Sequence, residues 1–334
     1  MKSCSTVCRA ALILNGVKGI GPAKLKKMLS GGLSDCSTGE LARLLYQETG
    51  KQADGFLGEI ETAKSAAEQQ IELAGNCGVR ILCSCDPEYP SLLKHSKFDQ
   101  FLLYVKGNLP PSSRSAAVIG SREPPAKADV VAARITAELT ERKFSIVSGL
   151  ALGCDTFAHR EALRCHGHTV AVLAHGLDYV YPEENAGLAE QIVAEGGALV
   201  SQFPMGEKPA QYNYPKRDKI QAGLSQLVVM IASTRDGGSL IASKSILEDG
   251  RDLFVPVACG PDKNSHAFEA NRILAYENPE EICSLFKINY DRSHLHILTH
   301  LHILKSREDY GKFEPAPGGS PADEPGMNEQ GSLF

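Results

Sequence analysis

VSGLALGCDTFAHREALRCHGHTVAVLAHGLDYVY, residues Val147 to Tyr181, carries the alternation of elements that decides the fold. An apolar run, Phe144–Ser148, ends in Ser-Gly at the start of this stretch, and Asp155 follows at the position of a helix N-cap. Gly167 ends the helical pattern, and Thr169–Ala174 is continuously apolar, as is typical of a strand covered on both faces of a parallel sheet. The stretch therefore predicts a βαβ unit.

The same alternation of strands and helices extends from residue 76 to about residue 285. It predicts an α/β fold with a doubly wound parallel, Rossmann-like sheet over residues 76–290. In such a sheet the ligand crevice lies at the carboxyl ends of the strands. The predicted strands are Val79–Cys83, Leu102–Lys106, Ala116–Gly120, Phe144–Ser148, Thr169–Ala174, Ala198–Ser201, Gln226–Ala232 and Asp252–Val257.

The first 75 residues have a helical pattern, with apolar residues at helical spacing. The predicted helices are Ala10–Leu14, Pro22–Leu29, Glu40–Glu48 and Gly58–Ala74. The link GVKGIG, residues 16–21, resembles a helix-hairpin-helix, in which glycines let backbone N–H groups approach a DNA phosphate at a helix N-terminus. We expect a small helical domain of the SAM-like, helix-hairpin-helix kind over residues 1–75. Its possible DNA contacts are Lys18, Gly19, Gly21 and Lys24; the alternative is an ordinary corner of a helical bundle.

The last segment, residues 291–334, changes character. The repeat HLHIL-T-HLHIL carries His294, His296, His300 and His302, and histidines two apart on a strand could share a metal. Since no carboxylate or cysteine stands nearby in sequence, we expect an amphipathic segment that docks on the body and no metal site. Proline and glycine richness predicts a disordered tail from about residue 306.

The final five residues resemble the short peptide by which bacterial proteins bind the sliding clamp. Gln330 matches its hydrogen-bonding glutamine, and Leu333 and Phe334 match its apolar pair. Chance matches of five residues are common, so a sliding clamp is a possible partner only.

Net charge offers no argument for nucleic acid, because 35 Lys and Arg face 40 Asp and Glu, giving −5. Local charge differs: two stretches are basic, and such clusters neutralise phosphates. Residues 1–30 carry no acidic side chain, and Lys208–Ser225 has only Asp218. The alternative for either stretch is an ordinary solvated surface. The basic residues of the first stretch are Lys2, Arg9, Lys18, Lys24, Lys26 and Lys27, and those of the second are Lys208, Lys216, Arg217 and Lys219.

Other patterns argue against a membrane protein and against a resident metal. No window of 18 or more apolar residues occurs, which predicts no membrane span. The apolar run near the N-terminus is followed at once by Asn15 and Lys18, which disfavours a signal peptide. Cys83 and Cys85 are too close for a zinc ribbon, and Cys4 and Cys8 lack sequence partners. Reduced thiols, a cytoplasmic location and no cofactor are therefore expected.

Ordered motifs between roughly Asp86 and Arg251 resemble the DNA-processing protein A family, also called Smf or DprA. Beyond Val147–Tyr181 they are Gly120-Ser121-Arg122, the GGALVSQFP stretch Gly196–Pro204, the YPKRDKI stretch Tyr214–Ile220, and Gly238–Ile241. The resemblance implies a single-stranded-DNA-binding protein that assists a RecA-type recombinase in DNA uptake, recombination or repair. It also implies a homodimer, and binding in a basic pocket at the strand ends.

Matched residue by residue, the resemblance implies a set of DNA-binding residues in two turns and one basic loop. They are Gly120, Ser121, Arg122, Ser148, Gly149, Lys216, Arg217 and Lys219. Asp218 and Lys219 depart from the family's Asn and Arg, which places a carboxylate beside the expected phosphate path. Phe203, Tyr212 and Tyr214 are candidates for stacking on bases.

Two alternatives to this function are enzymatic or nucleotide-binding. Cys154, His159 and Asp178 could be imagined as nucleophile, base and orienting acid, but helix capping and helix-face contacts explain them as well. Similar sheets bind nucleotides, so a nucleotide-ligand-binding protein or a nucleotide hydrolase is the second alternative. The sequence lacks a Walker lysine pattern, which disfavours turnover. A non-enzymatic protein is therefore expected.

Overall fold

A computed structural model describes residues 4–33, 35–50, 53–110, 114–257, 264–290 and 295–313, and centres on one nine-stranded sheet. The strand order is β1-β2-β6-β5-β4-β3-β7-β8-β9. Neighbouring strands from β6 to β9 pair in parallel, whereas β1 pairs antiparallel with β2 and β2 antiparallel with β6. The strands are β1 (Val79–Cys83), β2 (Leu102–Gly107), β3 (Ser115–Ile119), β4 (Ser145–Ser148), β5 (Thr169–Leu173), β6 (Ala198–Ser201), β7 (Leu227–Met230), β8 (Asp252–Pro256) and β9 (Leu301–Leu304).

Helices precede the sheet and cover its two faces. The first four lie before β1: α1 (Thr6–Asn15), α2 (Pro22–Leu29), α3 (Thr38–Thr49) and α4 (Leu57–Asn76). The others are α5 (Ser91–Lys94), α6 (Ala128–Glu141), α7 (Cys154–Arg164), α8 (Ala186–Ala194), α9 (Tyr214–Gly223), α10 (Ser239–Glu248), α11 (Glu269–Tyr276) and α12 (Pro279–Leu285).

The doubly wound α/β prediction is confirmed for the parallel part of the sheet. Each of the eight predicted strands is present within two residues of its predicted bounds, and β4, α7 and β5 form the predicted βαβ unit. The antiparallel edge formed by β1 and β2 was not predicted, because an apolar run does not reveal the direction of its neighbour.

The predicted N-cap of α7 is wrong. The helix begins one residue before Asp155, and Gly153 is its N-cap, with φ +81°. A Cβ at Gly153 would lie 2.5 Å from the Ser121 carbonyl oxygen, so this turn needs glycine. Asp155 lies in the first turn, where its carboxylate accepts hydrogen bonds from the backbone N–H of Gly149 and Ala151.

Helices α1 to α4 share an apolar core with one face of the sheet. Ile13 and Ile60 belong to the same buried cluster as Ile81, Tyr104 and Leu173 of the strands. Gln70 of α4 also donates to the Met205 carbonyl and accepts from its backbone N–H. The helical pattern is confirmed, whereas the division at residue 75 into a separate domain stays a prediction.

The C-terminal histidine segment docks on the sheet edge, as expected, by adding β9 beside β8. The expectation that no carboxylate is near is wrong: Asp252 of β8 lies 3.1 Å from His300 Nδ1 and 2.9 Å from His302 Nε2. This partner comes from 48 residues earlier in the chain, which local sequence does not show. His294 lies outside the described residues.

Disorder from about residue 306 is also wrong as far as residue 313. Arg307–Phe313 forms 3-10 turns, and Phe313 is buried with its ring 4.9 Å from that of Phe254. Asp309 also accepts from the backbone N–H groups of Lys305 and Ser306, and a composition count registers neither contact. Residues 314–334, with the predicted tail and the clamp motif, lie outside the described part. Within the described ranges no helix is long and apolar enough to cross a bilayer.

Candidate nucleic-acid interface

A crevice opens where the sheet order reverses, between β3 and β7. Chains leave these parallel strands in opposite directions there, which is the usual ligand position in open α/β sheets. Gly120–Arg122 follows β3, and Ser233–Ser239 follows β7 up to the N-terminus of α10. The crevice has a volume of about 440 Å³.

Two further hollows extend this crevice along the strand ends. One, of about 220 Å³, is lined by His175 and Tyr181; the other, of about 630 Å³, by Tyr179, Tyr181 and Lys208. Tyr214 lines the crevice and both hollows, and Arg122 lines the crevice and the hollow of about 220 Å³. We call the three together the strand-end groove.

Exposed cations pair with tyrosines in the groove and beside it: Arg122 and Tyr214 line it, whereas Lys216 and Tyr212 stand next to lining residues in the chain. The guanidinium carbon of Arg122 lies 4.5 Å from the ring centre of Tyr214, and Lys216 Nζ lies 5.3 Å from that of Tyr212. Both cationic side chains are exposed. Each pair offers a positive charge beside an aromatic face, the combination that binds phosphate and base in single-stranded nucleic acid.

Arg217 lies in the floor of the groove with its donors turned inward. Nη1 donates to the carbonyls of Gly149 and Val172 at 2.5 and 2.8 Å, and Nε donates to Asp218 at 2.8 Å. Only 6% of its side chain is exposed. In this structure Nε and Nη1 therefore have a positioning role, while Arg217 still lines the crevice and the hollow of about 220 Å³, and its contact with phosphate stays a prediction.

Ser148 and Gly149, like Arg217, make contacts within the protein. The Ser148 hydroxyl is buried and donates to the Val118 carbonyl at 2.7 Å, so it has no free donor for a ligand. A Cβ on Gly149 would lie 2.6 Å from Cζ of Arg217, so the glycine makes room for the guanidinium. Gly149 lines the hollow of about 220 Å³, and DNA contact by this turn stays a prediction.

The Gly120-Ser121-Arg122 turn does line the crevice. A Cβ on Gly120 would lie 2.6 Å from Cys154 Sγ, so glycine is needed here for packing against α7. Ser121 Oγ accepts from the Glu123 N–H at 3.1 Å, which shapes the turn. Of the three residues, Arg122 alone extends a charged side chain to the surface.

Two carboxylates flank Arg217 below the groove. Burial raises the pKa of Asp155 to about 6, and the Arg217 charge opposes that rise. Burial also raises the pKa of Asp218, and the positive charge of Arg217 opposes that rise. In the orientation that satisfies its amide, Gln221 donates to Asp218 and accepts from the Gly149 N–H. Asp218 is therefore held in the floor of the crevice by Arg217, and the charge of Arg122, in the same lining, also opposes the rise of its pKa.

The comparisons with known proteins agree with this geometry. The sequence profile of the family described as DNA recombination-mediator protein A matches residues 80–285. The chain belongs to that family. It is 39% identical over 180 residues to protein Smf of Synechocystis, an alignment that covers 52% of this chain and 45% of that protein.

Two solved structures of DNA processing protein A share the fold. The Streptococcus pneumoniae protein has a TM-score of 0.67 at 24% identity, covering 94% of this chain and all of the other. The Helicobacter pylori protein has a TM-score of 0.51 at 24% identity, covering 59% of this chain and 87% of the other, and is described as having a unique single-stranded DNA binding mode.

Not every predicted residue of this family member reaches the groove. Lys219 is exposed, but its Nζ lies 5.2 Å from the ring centre of Phe98 and it is not a groove-lining residue. Phe203 is buried, so the stacking role considered for it is wrong. Tyr181 was missed, although 51% of it is exposed. Tyr181 is followed by Pro182, and this pair is part of the resemblance to the family, so the sequence did mark the position.

The predicted hairpin is present between α1 and α2. Gly19 has φ +84°, Gly21 is the N-cap of α2, and Lys24 Nζ donates to the Gly19 carbonyl at 2.9 Å. Lys18 is exposed. Contact with DNA here stays a prediction.

The basic character of the first stretch is partly neutralised. Salt bridges join Arg9 to Glu68, Lys26 to Asp99 and Lys27 to Glu48. These carboxylates come from outside residues 1–30, so the local charge count overstated the cations available to phosphate.

The imagined catalytic triad does not assemble. His159 Nδ1 lies 2.8 Å from the Thr169 hydroxyl, and Asp178 accepts from the Gly206 N–H at 2.8 Å. Burial raises the pKa of Cys154 to about 12 and lowers that of His159 to about 3. The neutral thiol and neutral imidazole serve packing.

Proposed function

We propose that this protein binds single-stranded DNA along the strand-end groove, with no marked sequence preference, and acts as a recombination mediator. One observation carries the proposal: the Arg122 guanidinium lies over the Tyr214 ring in the lining of the groove. A second such pair, Lys216 over Tyr212, lies next to the lining residues Gln211 and Pro215 in the chain. Guanidinium and ammonium groups bind phosphates, while any base can stack on a tyrosine.

A single strand fits these features better than a duplex. Tyr181 and Tyr212 are 51% and 64% exposed. A base can stack on such a ring only when it is not already stacked inside a duplex. The Helicobacter pylori relative in fold is described as binding single-stranded DNA, which supports the same ligand class here.

Binding without turnover is the second part of the proposal. The nucleophile considered from the sequence is buried beneath Gly120, and its supposed base is bonded elsewhere. The family description favours a mediator that delivers DNA to a recombinase. A RecA-type recombinase and a second copy of this chain are the proposed protein partners.

A mononucleotide is the competing ligand, because the crevice of about 440 Å³ ends at the α10 N-terminus, with Gly237, Gly238 and Ser239 in its lining. Helix N-termini favour phosphate. Against it, Asp155 and Asp218 place two carboxylates beside the single buried guanidinium of the floor. With Arg122 and Glu123 also in the lining, three carboxylates face two guanidinium groups in the crevice, whereas a strand that continues along the groove also meets Lys208.

Fluorescence anisotropy with labelled oligo-dT, compared with duplex DNA and with nucleotides in a thermal shift assay, tests the proposal. We expect binding of the single strand that weakens with salt, because phosphate contacts release counterions. Equal affinity for duplex, or stabilisation by mononucleotides without oligo-dT binding, would overturn it in favour of the alternative.

A further inference from the structure

Cysteines that are far apart in sequence meet where α1 packs on β1. Ligand atoms of Cys8, Cys83 and Asp86 all lie within 4.8 Å of one another. Cys4 stands just before Ser5, the N-cap of α1, and its Sγ lies 3.4 Å from the Ser5 carbonyl oxygen. The expectation that Cys8 lacks a partner is wrong, because the fold supplies Cys83 from 75 residues away.

The cluster is built into the structure. Both Cys8 and Cys83 are fully buried. Asp86 is fixed in place, since its Oδ2 accepts from the Cys83 N–H at 2.7 Å. Cys8 Sγ lies 3.4 Å from the Ile81 carbonyl, so the thiol points at the strand. Two thiols and one carboxylate converge from different elements on one point.

We propose that Cys8, Cys83 and Asp86 bind one Zn²⁺ ion, with Cys4 as the fourth ligand. Zinc prefers tetrahedral sets of thiolate, imidazole and carboxylate ligands, and structural sites are closed by four protein groups. Binding transfers the three thiol protons to solvent and forms three Zn–S bonds and one Zn–O bond, with no change of oxidation state.

Such an ion would join the helical region to the sheet. Cys8 lies in the first turn of α1 and Cys4 just before its N-cap Ser5, whereas Cys83 ends β1 and Asp86 follows it. A bound ion stabilises the folded state by its affinity for that state. The site shares no residue with the strand-end groove, so its test is independent of DNA binding.

Titration of the reduced full-length protein with Co²⁺ as a spectroscopic stand-in for Zn²⁺ tests the proposal. We expect one equivalent to give thiolate-to-cobalt charge-transfer absorption and tetrahedral visible bands, and Zn²⁺ to displace it. Zn²⁺ should also raise the Tm of the wild type.

Cys8→Ala and Cys83→Ala should lose the bands and the Tm increase. Cys4→Ser and Asp86→Asn alter less buried residues and should weaken Co²⁺ binding while the protein stays folded by circular dichroism. Cys165→Ser, a thiol on the C-terminal end of α7, is the matched control and should bind like the wild type. Absence of stoichiometric Co²⁺ binding, or bands that persist in Cys8→Ala or are unchanged in folded Cys4→Ser, would overturn the site.

Discussion

Arg217 lies directly against the backbone of Gly149, with Nη1 donating to the Gly149 carbonyl at 2.5 Å. A side chain at position 149 would occupy the space of the guanidinium. The residue that the family resemblance marks as a DNA ligand therefore also joins the turn after β4 to β5, through the carbonyls of Gly149 and Val172.

Arg217→Ala should destabilise the fold. It leaves Asp218 and two carbonyls without their buried partner, and breaking a buried ion pair costs about 3–5 kcal/mol. Gly149→Ala should lower the free energy of unfolding too, because Arg217 must move. Urea unfolding measures both. The exposed neighbour Lys216→Ala is the control and should stay within about 0.5 kcal/mol of wild type. An unchanged free energy of unfolding in Arg217→Ala would contradict the positioning role.

Arg122→Ala should weaken oligo-dT binding with little effect on folding, since the side chain is exposed. Loss of a charge-assisted contact costs about 1.5–3 kcal/mol, or roughly 10- to 150-fold in Kd. Anisotropy titrations give the measurement, and Arg160→Ala, an exposed arginine of α7 outside the groove, gives the control. Equal losses in both variants would indicate a general charge effect and no specific site.

Lys216→Ala and Tyr212→Ala should both weaken DNA binding, but with different dependences on salt. Removing the lysine should reduce the salt slope of binding by about one, because one phosphate contact is lost. Removing the tyrosine should cost about 1–3 kcal/mol of stacking and leave the slope unchanged. Binding measured over a salt series separates them. A Tyr212→Ala slope that falls like that of Lys216→Ala would argue against stacking.

The buried carboxyl of Asp155 should make stability depend on pH. Burial raises its pKa from 3.8 to about 6, so the folded state holds the proton more tightly than the unfolded state. Stabilisation from this proton is complete below about pH 4 and is lost as pH rises to about 6, by about 3 kcal/mol. Unfolding of wild type and Asp155→Asn at pH 4 and pH 7 should show that difference. A pH-independent difference would disprove the shift.

The last five residues, Gln330–Phe334, predict binding to a bacterial sliding clamp. A peptide ending in Gln330–Phe334 should bind a bacterial sliding clamp with micromolar Kd, about −8 kcal/mol. Changing both Leu333 and Phe334 to Ala should abolish it, because each buried apolar anchor contributes about 1.5–3 kcal/mol. Calorimetry with wild-type and variant peptides is the measurement. No heat at high wild-type peptide concentration would reduce the motif to a chance match.

Sequence alone predicted the strands well, because continuous apolar runs such as Thr169–Ala174 are bounded by clear turn residues. It did not predict features that depend on distant chain segments. Asp252 reaches His300 and His302 from a neighbouring strand, and Cys83 reaches Cys8 across a helix–strand contact. Neither pairing leaves a local pattern.

The site residues divide in the same way. The glycines and Arg122 were identified through their motif, and the turns lie at the strand ends as expected. The sequence did not show whether a polar side chain faces the ligand or the protein core. Arg217 and Lys216 are adjacent in one helix, yet Arg217 is buried and Lys216 is exposed. Helix rotation decides this, and α9 has too few apolar residues to reveal its buried face.

The most direct test of the central claim is photocrosslinking of 5-bromodeoxyuridine-substituted single-stranded DNA to the full-length protein, with the crosslinked residues mapped by mass spectrometry. The account predicts crosslinks at Tyr181, Tyr212 and Tyr214, reduced in Arg122→Ala. Crosslinks confined to the hairpin around Lys18, or none at the three tyrosines in a sample that binds DNA, would contradict it.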